Sequence, residues 1–292
     1  MSRRTGIIRS LWIVLALLEM ASAQAAAIPV KTFVSILPQK YLVERIGGDR
    51  VQVEVMVRPG LNAETYEPLP RQLAALSNAD VYFRIGVPFE SIWMKKISAV
   101  NPDLRIIDCC EELIPERFRA GKHDMDDSDM HAYDAHVWTS PRNTIYIADL
   151  VLKALEDIDP AAKGMYEKNH TMLIQDLNDL DQYIRKQFAS LGNRYLMVAH
   201  PSWSYFADAY DLTQFSLERH GTEIRPRELS SLVDFARSNK IHTVYVEKQF
   251  NSAPARLLAR EINADIVELD PLAEDYIDNL KKVARAIVAG AR

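Results

Sequence analysis

The chain has almost no cysteine: its 292 residues hold two, Cys109 and Cys110, next to each other. Neighbours joined by one trans peptide have Cα atoms about 3.8 Å apart, too close for ordinary disulfide geometry. A disulfide framework is therefore excluded, and the fold must rest on a hydrophobic core. The two thiols follow the apolar run 104–107 and read as buried small apolar groups. Glycine is also scarce, with ten residues, and forms neither a phosphate loop nor a dinucleotide pattern. His-Glu-x-x-His and Gly-x-Ser-x-Gly are absent as well, which removes the usual signatures of zinc peptidases and serine hydrolases. We expect a binding protein and not an enzyme. There is no basic excess, the formal charge being −5, which argues against nucleic acid and anionic lipid as partners. Nor does the apolar run 11–18 reach the roughly 20 residues of a membrane-spanning helix, so direct membrane insertion is not expected.

That short run does have a meaning. Arg3, Arg4 and Arg9 precede it, and Ala21-Ser22-Ala23 follows it. A basic start, an apolar centre and small residues at the end read as a secretory signal peptide over residues 1–23, cleaved after Ala23 or Ala25. No cysteine lies near either position to carry a lipid. The expected product is a soluble periplasmic protein. Without residues 1–23 it has 32 basic and 39 acidic side chains, a balance of −7.

Short apolar runs alternate with helical stretches twice along the chain. Strands are expected at 31–37, 51–57, 81–85 and 104–107, and helices at 39–46, 71–78 and 89–100. The alternation restarts at 194–199 and continues to a closing helix at 276–289. Between them, Met165, Leu173, Leu177, Leu180, Ile184, Phe188 and Leu191 recur at helical spacings. They predict one amphipathic helix of about 30 residues, roughly 45 Å long, with Asp159 as its N-cap and Pro160 in its first turn. The fold class is α/β: two similar lobes with parallel-type sheets flanked by helices, joined by one long bridging helix. The expected divisions are an N-terminal lobe at 28–142, a helical stretch at 143–191 and a C-terminal lobe at 192–292.

Ligands of open parallel sheets bind beyond the carboxyl ends of the strands. That rule nominates the loop 58–64, His200 after the first strand of the second half, Glu247 and Asp270 after later strands, and the segment 134–141 before the central helices. Two histidines and several carboxylates make a mixed nitrogen and oxygen set. It suits zinc, and also manganese or ferrous iron, while the lack of thiolates argues against copper(I). Spacing alone does not unite these residues. Each has an ordinary structural role open to it, such as an ion pair for Glu247 or a turn cap for Asp270.

Four phrases carry a likeness that runs from about residue 30 to the C-terminus. They are Pro59-Gly-Leu-Asn-Ala-Glu64-Thr-Tyr-Glu-Pro68, Asp134-Ala-His136-Val-Trp138-Thr-Ser-Pro141-Arg-Asn143, Val198-Ala-His200-Pro-Ser-Trp203-Ser-Tyr205-Phe206 and Val267-Glu-Leu-Asp270-Pro271-Leu272. In this order the chain resembles the zinc- and manganese-binding receptors of metal-uptake ABC transporters. The resemblance implies two lobes with a metal between them, and Glu64, His136, His200 and Asp270 as its ligands. It also implies the membrane permease of an ABC transporter as partner, and we expect a monomer. One departure is plain: the family usually has Pro-His where this chain has Ala63-Glu64. Zinc is favoured over manganese because His200 stands where manganese members usually have Glu, although Glu64 pulls toward a harder ion. Residues 121–131, with His123, His131 and four Asp, read either as a solvated acidic loop or as a weak auxiliary metal site. The rival readings are a zinc-dependent periplasmic hydrolase, with three ligands and a water, and a receptor for a metal chelate or other small solute. The latter would use Trp138, Trp203, Tyr205 and Arg225.

Overall fold

The computed structural model describes residues 28–113, 134–219, 222–223 and 226–291. The signal segment, His123, His131 and Arg225 lie outside these residues. In the first half, β1 (Val30–Val34), α1 (Leu37–Gly47), β2 (Val51–Val55), α2 (Pro70–Leu76), β3 (Val81–Arg84), α3 (Pro88–Val100) and β4 (Arg105–Asp108) alternate. Their strands form a parallel sheet in the order β2-β1-β3-β4. Two helices follow, α4 (Pro141–Ile158) and α5 (Lys163–Phe188). The second half holds β5 (Tyr195–Val198), α6 (Ser204–Ala209), β6 (Thr213–Ser216), the short pair β7 (Glu218–Arg219) and β8 (Thr222–Glu223), α7 (Pro226–Ser238), β9 (Thr243–Val246), α8 (Ala253–Ile262), β10 (Asp265–Glu268) and α9 (Tyr276–Gly290). Its parallel sheet runs β10-β9-β5-β6. Read from the other edge, this is the second, first, third and fourth strand of its half. Both lobes therefore share one topology.

Helix starts fall slightly earlier than expected, for one reason. Pro38, Pro70, Pro88 and Pro141 each occupy the first turn of a helix, where a missing N–H costs nothing. Pro38 was expected to end β1, but the strand stops at Val34 and the proline belongs to α1. At the other end of α1 the double glycine acts as expected. A Cβ on Gly47 would lie 2.3 Å from the Val51 side chain, and Gly48 has φ +55°.

The bridging helix also differs from the expectation. A 3-10 turn at Pro160–Ala162 precedes α5, which has 26 residues, about 39 Å of rise. Asp159 does not cap it. Its Oδ2 accepts hydrogen bonds from Arg50 Nε (2.9 Å), Arg50 Nη2 (2.6 Å) and Tyr166 Oη (2.9 Å), so the carboxylate ties the N-terminal lobe to α5. Leu173, Leu177, Leu180, Ile184 and Phe188 are buried along one face of α5, as their spacing predicts. This face packs on α4, on α1 from the first half and on α9 from the second. The main core consequently runs through both halves, from Phe83 and Val34 to Phe206 and Tyr276. A smaller core under α7 and α8, around Met197, Val244 and Leu258, completes the C-terminal lobe.

Strand β1 and strand β3 mark the point where the N-terminal sheet changes winding direction. There the crevice is filled by Glu90, which is fully buried. Its carboxylate accepts from Ser35 Oγ, from Ile85 N at 2.8 Å and from Gly86 N at 2.9 Å, and pairs with Arg84 at 3.3 Å. Burial raises its pKa, and the Arg84 guanidinium opposes that rise. Cys109 and Cys110 are free and buried nearby, with burial pushing both thiols up, out of reach of thiolate chemistry at neutral pH. The corresponding crevice of the C-terminal lobe, between β5 and β9, holds His200 instead.

Candidate metal centre

Glu64 sits in the loop after β2. Its N–H donates to Asn62 Oδ1 at 2.7 Å, a local turn that fixes the approach of the side chain. Two residues on, Tyr66 is buried, its hydroxyl donating to Gln72 Oε1 at 2.6 Å, while Gln72 Nε2 donates to Met56 O at 2.8 Å. The loop is thus anchored beyond the strand end, and Glu64 projects from an anchored backbone.

His136 precedes a 3-10 turn, Val137–Thr139, and is 8% exposed. Asp134 Oδ1 accepts both its backbone N–H, at 2.8 Å, and lies 2.6 Å from its Nδ1. Asp134 Oδ2 accepts from Ser204 Oγ, so the carboxylate is itself held. Burial works against the charged form of Asp134, but the imidazole and these hydrogen bonds outweigh it and keep the pKa low. With Nδ1 committed to Asp134, Nε2 is the nitrogen left to bind a ligand.

His200 follows β5 and is 2% exposed. Its Nδ1 faces Glu218 Oε2 at 3.0 Å, and its Nε2 lies 3.1 Å from Glu64 Oε1. The latter contact is not aligned as a hydrogen bond, which leaves Nε2 a buried nitrogen without such a partner. Burial lowers the His200 pKa, yet the carboxylates of Glu218 and Glu64 raise it to about 9. Phe250 stacks flat on the ring, with centroids 3.6 Å apart and planes 12° apart. Behind it Glu247 is buried and accepts from Trp203 Nε1 at 3.2 Å; burial pushes its pKa up to about 7, moderated by the charge on His200.

Among the described residues, Glu64, His136 and His200 each offer a ligand atom within 4.8 Å of the others. The imidazoles of His136 and His200 lie 5.4 Å apart between centroids. Donors around one tetrahedral zinc at about 2 Å stand about 3.3 Å from one another, so small adjustments suffice. Asp270 differs. No oxygen of its carboxylate comes within that distance of all three. It accepts instead from Gln249 Nε2 at 3.0 Å and Leu272 N at 2.9 Å. It was expected in the same cluster, but the structure holds it in a turn of its own lobe, through donors that spacing does not reveal.

Asp134, Glu218 and Phe250 support the histidines, a role the sequence alone did not assign to any of them. Asp134 was legible as an Asp two residues before a His, a local turn pattern. Glu218 lies 18 residues after His200, and Phe250 fifty, so only the fold brings them there. Glu218 also belongs to β7, one of two two-residue strands too short to show a period.

Two lobes of one topology, with imidazoles and carboxylates meeting where their loops converge, define a two-lobed metal-binding receptor. A family model described as ZnuA, zinc-uptake complex component A, periplasmic, matches residues 33–290. A putative metal-binding protein of Chlamydia muridarum (strain MoPn / Nigg) is 30% identical over 264 residues, 88% of this chain and 90% of that protein. A crystal structure of ZnuA is 37% identical with a TM-score of 0.83, over 90% of this chain and all of that one, 100%. A ZnuA deletion mutant with zinc bound is also 37% identical, with a TM-score of 0.81 over 90% of this chain and 98% of that one. The chain belongs to the zinc-uptake component A family, which is one of solute-binding receptors and not of enzymes.

Proposed function

We propose that this protein captures a single zinc ion at Glu64, His136 and His200, with Asp270 as fourth ligand, and delivers it to the permease of an ABC transporter. The observation that supports it most is the convergence of three donors from three separate segments within 4.8 Å. Two imidazoles whose Nδ1 faces a carboxylate leave Nε2 as the nitrogen turned to the cluster, and a donor set with two nitrogens favours zinc over manganese. The lobes that hold the ion are residues 28–142 and 192–292, joined by the helical stretch 143–191. The protein acts as a periplasmic monomer after removal of residues 1–23. No helix of the described residues is long and apolar enough to cross a membrane.

Native mass spectrometry of the purified protein tests this reading. One zinc per chain is expected, and His200→Ala should weaken zinc binding by about a hundredfold, the upper end of what loss of a supporting group costs, because the metal then loses its most buried donor. An organic ligand in the spectrum would favour the chelate receptor. Unchanged affinity in His200→Ala would remove this residue from the site.

A further inference from the structure

Asp270 is held by two kinds of contact. Those to Leu272 N and, through its carbonyl, to Asn279 Nδ2 at 2.7 Å are local and shape the turn after β10. Gln249 is different: it reaches across from the loop after β9 to donate to Oδ1 at 3.0 Å. Its own Oε1 is buried with no hydrogen-bond partner, so only one half of the amide is satisfied in this arrangement. The next residue, Phe250, is the one stacked on His200. Two consecutive side chains of one loop therefore hold two of the proposed ligands, one inside the cluster and one outside it.

We infer that Gln249 is a positioning residue that keeps Asp270 out of the Glu64, His136 and His200 cluster until metal arrives. This inference rests on Asp270 being the fourth ligand. Asp270 Oδ1 already accepts two N–H donors, from Gln249 and Leu272. The Leu272 donor is set by the backbone turn, whereas the amide of Gln249 leaves by side-chain rotation. Metal capture exchanges that donor for the ion, and the carboxylate gains a stronger partner than a neutral amide. Because Gln249 and Phe250 are adjacent, the same loop adjusts the face of His200 as Asp270 is released. Holding the acid back weakens the metal-bound state relative to the free one, which eases release to the permease.

The test is zinc affinity and release rate, measured by chelator competition on the full chain and four variants: Gln249→Ala, Gln249→Leu, Asp270→Ala and Gln249→Ala with Asp270→Ala. Gln249→Ala and Gln249→Leu should bind zinc about tenfold tighter, with correspondingly slower release, since the lost hydrogen bond no longer competes. Asp270→Ala should bind more weakly, and adding Gln249→Ala to it should change nothing further. A crystal structure of metal-free Gln249→Ala should show the Asp270 carboxylate displaced from its position in the wild type. If both Gln249 variants are folded by circular dichroism and bind zinc no tighter than wild type, the positioning role is overturned. A gain that persists without Asp270 overturns it too. Wild-type affinity in Asp270→Ala alone would instead overturn the assignment of Asp270 as a ligand, and the role of Gln249 with it.

Discussion

At the scale of single residues the site is governed by what stands behind the histidines. Glu218 and Asp134 each occupy an Nδ1, which aims both Nε2 atoms at the gap and strengthens them as donors. The same carboxylates favour a proton when no metal is present. His200 has its pKa raised to about 9 against burial, by Glu218 and Glu64, from an ordinary value of 6.5. A raised value means that the metal-free site gains stability from protonated His200 below about pH 6.5, and loses it as pH rises through 9. At the proposed site, zinc binding at pH 7 should therefore displace close to one proton from His200, and this release should fade as the pH passes 9. Calorimetry in buffers of different ionisation enthalpy measures it directly. No proton release at pH 7 would mean that His200 is not the nitrogen that meets the metal. Glu64, which stands where the family usually has histidine, contributes to the same rise, and in the proposed site it would exchange an imidazole for a charged oxygen.

Between residues and the whole stand the loops that carry these groups, and they are fastened to one another. Trp138, two positions after His136, is 1% exposed and donates its indole N–H to Pro271 O at 2.7 Å, immediately after Asp270. Tyr276 at the start of α9 donates to Trp138 O at 2.8 Å. The second and last of the four phrases are thus one structural unit, although 133 residues separate the bonded pair. Trp138→Phe keeps the aromatic bulk and deletes only the donor. It should cost about 2 kcal/mol in urea unfolding, because a buried carbonyl is left unsatisfied. It should also weaken zinc binding by loosening the turn that carries Asp270. A stability loss with unchanged affinity would show that this turn does not act on the metal. By contrast, the Glu90 network closes its own crevice without reaching the cluster. With that crevice filled, the proposed ligand of the N-terminal lobe comes from a loop beyond β2 and not from its winding switch.

For the whole molecule, the decisive feature is that the larger core does not stop at a lobe boundary. Helix α5 buries one face against helices of both halves, and Arg50 with Asp159 adds an ion pair between the first half and the helical stretch. A shared core makes the lobes unfold together. Calorimetry of the metal-free protein should give one cooperative transition, and zinc at a hundred times its dissociation constant should add about 2.7 kcal/mol to its stability. Two resolved transitions would mean that the lobes are energetically separate. The same continuity argues for small loop movements on metal capture, of the kind the Gln249 and Asp270 contact would undergo, over a wide hinge opening.

Much of this was legible in the chain itself. Alternating apolar runs and the stripe on α5 are local signals, written within a few residues of one another, and they carried the α/β class, the repeated lobes and the long helix, whereas the helix starts at Pro38, Pro70, Pro88 and Pro141 came only with the structure. The identities of Glu64, His136, His200 and Asp270 as candidate donors were legible too, because strand ends and short phrases mark them. Which of them meet was not. Side chains separated by tens of residues converge only through sheet order and loop anchoring, so tertiary structure alone decided that three donors stand together. It also set Asp270 aside on Gln249 and placed Glu218 and Phe250 around His200. Local periodicity carries no information about distances of a few ångströms between such segments; packing does.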